Sequence, residues 1–139
     1  MKKVLVAGTF DFLHPGHLNF ISQARAHGSY LVVVVARDET VEKIKGTKPY
    51  FNELERLSLI GALKGVDKAV LGNEGDLFTI VKKLKPDVIV LGYDQWPGEK
   101  LLRSKLDENG LSKTKIFRAK EKNPAKYKSS KIRKFMANG

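Results

Sequence analysis

Residues 3–17 read Lys-Val-Leu-Val-Ala-Gly-Thr-Phe-Asp-Phe-Leu-His-Pro-Gly-His. Lys3 to Gly8 form a short apolar run, as expected of a buried strand. A helical pattern starts at Gly16, with Leu18, Ile21 and Ala24 at helical spacing. Two histidines, His14 and His17, bracket Pro15 and Gly16 at that start. Pro15 presets the turn, and Gly16 has no side chain to keep a phosphate away from the backbone. A helix start offers free N–H groups and a partial positive charge, so the segment reads as an anion site. Each imidazole can donate an N–H to phosphate oxygens, more strongly when protonated. Two donors aimed at one α-phosphate would stabilise the charge of a phosphoryl-transfer transition state.

Outward from this stretch, short apolar runs alternate with helix-length amphipathic segments. Tyr30 to Ala36 is the clearest strand, continuous and β-branched, as in a sheet covered on both faces. Shorter strands are expected at Lys68–Leu71 and Asp87–Leu91, with an edge strand at Thr114–Phe117. Helices are expected at Gly16–His27, Asn52–Leu63, Asp76–Leu84, Glu99–Asn109 and Ser129–Met136. Asn52 caps one of them, Asp76 another, and Gly110 stops a third. Arg37 to Lys48 is read as a loop after the second strand. Such alternation predicts a parallel sheet with helices on both faces, and ligands bound beyond the carboxyl ends of its strands.

The length of 139 residues suits one domain, 1–139, with the basic segment 112–139 included. No cysteine is present, which excludes disulfide scaffolds, thiol nucleophiles and cysteine-based zinc sites. The apolar start turns polar by Thr9, too early for a signal peptide, and the longest apolar run, Leu31–Ala36, is far too short to span a bilayer. The expectation is a cytoplasmic protein with no membrane partner. The net charge of +11 is uneven: ten Lys or Arg follow Ser112 against one acid, Glu121. This cationic tail reads as a solvated surface, as a wall that attracts a phosphorylated substrate, or as a nucleic-acid surface. Little aromatic interleaving weighs against nucleic acid.

Two histidines three apart also suit zinc, but no third ligand stands at metal spacing. Neither the G-x-x-x-x-G-K-[ST] nor the G-x-G-x-x-G phosphate loop is present. The run Gly8-Thr9-Phe10-Asp11 followed by His14-Pro15-Gly16-His17 instead resembles the signature of the HxGH nucleotidyltransferases, the cytidylyltransferase-like superfamily. Within it, Val35-Ala36-Arg37-Asp38-Glu39-Thr40-Val41, Leu84-Lys85-Pro86-Asp87-Val88-Ile89-Val90-Leu91-Gly92 and Gly92-Tyr93-Asp94-Gln95 are most similar to the archaeal FAD synthases. The absence of cysteine near the C-terminus departs from that group.

The resemblance implies a Rossmann-like domain with a five-stranded parallel sheet ordered 3-2-1-4-5. It implies transfer of AMP from ATP to FMN with a divalent cation, Mg2+, in a homodimer. Glycerol-3-phosphate cytidylyltransferases are close relatives, so a small phosphorylated acceptor is the alternative. By the same resemblance Thr9 and Phe10 line the nucleotide site through their backbone, and His14 and His17 hold the triphosphate. Lys45 and Arg56 face the phosphates, and Asp94 contacts the nucleoside. Ser129 and Ser130, at a helix start, close on the β- and γ-phosphates, with Tyr127 beside them. Asp11 supports either the cation or the acceptor. Phe10, Phe12, Tyr93 and Trp96 are candidates for an isoalloxazine slot. Plainer readings stand beside these: Lys45 and Lys48 as loop lysines, Arg56 as a surface partner of Glu53 or Glu55, Asp94 as a turn former, Trp96 as a packing residue.

Overall fold

A computed structural model describes residues 1–73, 77–92 and 98–120. In chain order the elements are β1 (Lys3–Gly8), α1 (Pro15–Arg25), β2 (Tyr30–Val35), α2 (Asp38–Lys45), α3 (Glu53–Gly61), β3 (Lys68–Leu71), α4 (Leu77–Leu84), β4 (Val88–Leu91), α5 (Glu99–Glu108) and β5 (Lys115–Arg118). All strand pairs are parallel, and the sheet order is β3-β2-β1-β4-β5. The chain is a single α/β domain, as the alternation predicts. The Asp76 cap, the Ser129–Met136 helix and the basic tail from Glu121 onward lie outside the described residues.

Strand side chains alternate between two apolar clusters, because a strand turns successive residues to opposite faces. Val4, Val6, Val33, Val35, Val88 and Val90 pack on one side with Ile21 and Ala24 of α1 and Ile60 of α3. Leu5, Val34, Ile89 and Leu91 pack on the other with Phe78 and Val81 of α4 and Leu102 and Leu106 of α5. Two aspartates pin the start of this sheet. Asp87 accepts from the Lys3 amide at 2.8 Å, and Asp67 accepts from the Leu31 amide at 2.7 Å.

One element departs from the sequence reading. Asp38–Lys45, expected as loop, is the helix α2. Eight residues with one buried apolar side chain, Val41, carry too little periodicity to stand out. The helix is anchored from outside instead. Glu53 at the start of α3 accepts from the Asp38 amide at 3.0 Å, and Gly46 ends α2 in the left-handed region at φ 82°. The Asn52 cap of α3 is borne out: its side chain accepts from the Glu55 amide at 2.8 Å, and Glu55 accepts from the Asn52 amide at 3.1 Å.

The chain runs outward from β1 through β2 to β3, then crosses to β4 on the other side of β1. The carboxyl ends of β1 and β4 therefore form the switch point of the sheet, where an open α/β fold binds its ligand. The Thr9–His14 loop leaves β1 there.

Candidate active site

The site is built on the turn from β1 into α1. Gly8 ends the strand, and Phe10 follows with φ 53°, in the left-handed region that non-glycine residues avoid. The Phe10 ring folds back over Gly8 so closely that a Cβ on Gly8 would meet it at 2.9 Å. This turn brings the Phe10 ring edge-on to His17, with ring centres 5.6 Å apart. Phe10 is 4% exposed, so its side chain packs under the site and is not available to an isoalloxazine slot.

The two histidines cap their own helix. His14 Nδ1 accepts from the Gly16 amide at 3.1 Å, and His17 Nδ1 accepts from the His14 amide at 3.3 Å. Pro15 has no N–H, and the His17 amide donates to the His14 carbonyl at 2.9 Å. The first-turn amides expected to meet an anion are therefore already used within the turn. What the turn presents is the imidazoles. Their rings stack, with centres 3.9 Å apart and planes at 30°. With each Nδ1 accepting, the ring proton of each neutral imidazole belongs on Nε2. The arrangement is two stacked imidazoles at a helix start, each with its Nε2–H left as the donor.

The protonated form, the stronger donor, is not the resting one. Burial lowers the pKa of His14. His17 is lowered to about 4, first by burial and then by the positive charges of His14 and Lys45, against a weaker opposite pull from the Phe12 carbonyl. Without an anion at hand, both are neutral near pH 7. Lys45, exposed at the end of α2, is close enough for its charge to act on His17.

Arg56 has a different place from the one expected. It is fully buried, neither a surface ion-pair partner of Glu53 or Glu55 nor directed at solvent. Its Nε donates to the Phe51 carbonyl at 2.9 Å, and Nη1 donates to the Thr9 carbonyl at 2.8 Å and the Ala36 carbonyl at 2.7 Å. Nη2 meets the Asp38 carboxylate at 2.6 Å. Arg56 thus ties together the carboxyl ends of β1 and β2, the start of α2 and the entry to α3. A neighbouring pair, Arg37–Glu53 at 3.3 Å, continues the same network, with Arg37 Nε on the Gly72 carbonyl after β3.

Asp11 also differs. It is 5% exposed, and its two oxygens accept from the Tyr50 and Phe51 amides at 2.8 and 2.9 Å. The carboxylate clamps the 47–52 loop onto the β1 turn; it does not stand open for a cation. No group of three or more His, Asp or Glu able to hold a metal occurs among the described residues. Asp94, Tyr127, Ser129 and Ser130 lie outside them, as do Tyr93 and Trp96. The sequence reading missed Asp38 as the Arg56 partner, and Tyr50 and Phe51 as partners of Asp11 and Phe12. The signal available for the last two was an aromatic pair between Pro49 and the Asn52 cap.

A five-stranded parallel sheet with a histidine-capped helix start at its switch point defines an α/β domain of the kind that binds its ligand beyond the strand ends. The chain belongs to the cytidylyltransferase-like family, whose profile matches residues 5–135. Its curated relatives include proteins named FAD synthase. One, from Ferroglobus placidus, is 45% identical over 94% of this chain and 84% of the relative. Another, from Thermoplasma volcanium, is 44% identical over 96% of this chain and 93% of the relative. A solved structure named a lipopolysaccharide core biosynthesis protein from Thermoplasma volcanium superposes with a TM-score of 0.84 at 45% identity, covering 88% of this chain and 99% of that one. Pantoate-beta-alanine ligase from Francisella tularensis, with a TM-score of 0.59 and 14% identity over 95% of this chain and 67% of that one, shares the fold alone.

Proposed function

We propose that this protein is an FMN adenylyltransferase, forming FAD and pyrophosphate from FMN and ATP. The observation that carries the reaction type is the stacked His14–His17 pair, whose Nδ1 atoms are both tied back into the helix start. The acceptor rests on the FAD synthase names of relatives that align with nearly the whole chain.

A phosphate oxygen of FMN attacks the α-phosphorus of ATP. The new P–O bond makes the pyrophosphate link of FAD, and the bond from the α-phosphorus to the bridging oxygen of the β-phosphate breaks. Pyrophosphate leaves with that electron pair. A phosphate monoester is already an anion, so no protein nucleophile is required. Catalysis is positioning and charge stabilisation. The Nε2–H groups of His14 and His17 donate to oxygens of the triphosphate, where negative charge grows, and Lys45 adds positive charge beside them. An anion bound there raises the pKa of both imidazoles, so each donor strengthens as the charge arrives. Arg56 and Asp11 are positioning residues: they hold the Thr9 carbonyl and the 47–52 loop in place. Asp94 at the nucleoside, and Ser129 and Ser130 at the β- and γ-phosphates, complete the roles the family resemblance supports, with Tyr127 beside the serines as a nucleotide contact.

A divalent cation, Mg2+, belongs to this reading as a substrate companion. The described residues offer it no cage, and magnesium commonly binds through substrate phosphates with few protein ligands. When bound, it screens the repulsion between the two phosphate groups. The reading includes a homodimer and takes nucleic acid as no partner. Among the described residues no helix is long and apolar enough to cross a membrane.

The test is a panel of acceptors (FMN, glycerol 3-phosphate, sugar phosphates) against ATP and CTP, scored by pyrophosphate release. FMN with ATP should give the fastest release. Faster release from CTP with glycerol 3-phosphate, or from ATP with a sugar phosphate, would replace the acceptor.

A further inference from the structure

Resting on that reading of the acceptor, we propose that Tyr50, backed by Phe12, is the platform on which the isoalloxazine ring of FMN stacks. A tyrosine ring is usually at least partly covered. Tyr50 is 74% exposed, yet its backbone is held firmly: its amide donates to the buried Asp11 carboxylate at 2.8 Å. The Phe12 ring stacks against Tyr50 with centres 5.4 Å apart and planes at 29°, while Phe51 meets both rings edge-on, at 5.6 Å from Phe12 and 5.0 Å from Tyr50. The result is a flat aromatic surface with one side supported and the other open to solvent.

Its location suits the acceptor. Phe12 is two residues before His14, and its carbonyl acts on the His17 ring, so the platform adjoins the phosphate donors. Asp11 ties the backbone of Tyr50 and Phe51 to the β1 turn that leads into the histidines, and Lys45, at the end of α2, lies close enough for its charge to act on His17. A ligand with a flat apolar ring at one end and a phosphate at the other fits this arrangement: ring on Tyr50, phosphate toward His14 and His17. Glycerol 3-phosphate has no ring to use the surface, so the same residues would separate flavin from small acceptors.

Stacking of a base on an aromatic side chain is typically worth about tenfold in affinity. Tyr50→Ala should therefore raise the KM for FMN about tenfold, leave the KM for ATP unchanged, and change stability little because the side chain is exposed. Contact with tyrosine also quenches flavin emission, so FMN fluorescence should fall on binding to the parent protein and fall less with Tyr50→Ala. Tyr50→Trp should restore both the quenching and the KM. Parent protein that makes FAD, with Tyr50→Ala showing an unchanged FMN KM and unchanged quenching, overturns the platform. So does a loss in Tyr50→Ala confined to kcat and not rescued by tryptophan. Parent protein that quenches FMN through Tyr50 but forms no FAD overturns the reaction and leaves the platform standing. Absence of both FAD and quenching overturns both.

Discussion

His17 concentrates the chemistry of the site in one side chain. Its ring is fixed by the hydrogen bond from the His14 amide, and its pKa is lowered to about 4. Titration followed by the ring proton resonances should give a midpoint near 4 for the free protein. Adding pyrophosphate should move it upward, since an anion favours the charged ring. The same shift makes folding depend on pH. Between about 4 and the ordinary value of 6.5 the unfolded chain binds a proton at this position that the folded chain does not. Stability should therefore be fully present above pH 6.5 and fall as pH drops toward 4. Urea midpoints across that range check this, and His17→Ala should flatten the dependence. Loss of one preorganised donor commonly lowers turnover about 100- to 1,000-fold. His17→Ala should show a loss of that size while remaining folded; turnover within a few-fold of the parent would remove His17 from the chemistry.

The elements around the site are held by charges bonded to the protein's own backbone and carboxylates. Arg56 is the largest of the fully buried side chains, and it joins β1, β2, α2 and α3 through three carbonyls and Asp38. Breaking a buried ion pair by removing one partner costs about 3–5 kcal/mol. Arg56→Ala should lower unfolding stability by about that much in a urea titration, and Arg56→Lys should recover only part, because an ammonium cannot span four acceptors in a plane. A variant of parent stability with a selective rise in the KM for ATP would return Arg56 to the phosphates. This is also where the sequence was least legible. An arginine at helical spacing among acids looks the same on the surface or in the interior, and only the meeting of two strand ends decides between them. Likewise α2 has no apolar stripe of its own; Glu53, fifteen positions beyond Asp38, supplies its first hydrogen bond. The strands, by contrast, were readable nearly to the residue, since a doubly covered sheet demands unbroken Val, Ile and Leu. The His-Pro-Gly-His turn was readable too, but its protonation was not: burial and Lys45 act across the fold.

At the scale of the whole molecule, the sheet order puts the β1 turn at the switch point, and the family membership follows from residues 5–135 and not from one motif. The net charge of +11 belongs mainly to the segment after Ser112. If that charge serves small anions, binding to duplex or single-stranded nucleic acid should be weak and disappear with modest salt, because counterion release alone would drive it. Fluorescence anisotropy with labelled oligonucleotides checks this; sub-micromolar, sequence-selective binding at physiological salt would contradict it. The central claim concerns a single bond, the one between the FMN phosphate and the α-phosphorus of ATP. ATP radiolabelled at the α-phosphate, incubated with FMN, magnesium and the protein, tests it most directly. The label should appear in a chromatographic peak that coelutes with FAD, only when the cation is present, and should nearly vanish with His17→Ala. Label that stays in ATP with FMN present, while it moves to another phosphorylated acceptor, would contradict the account.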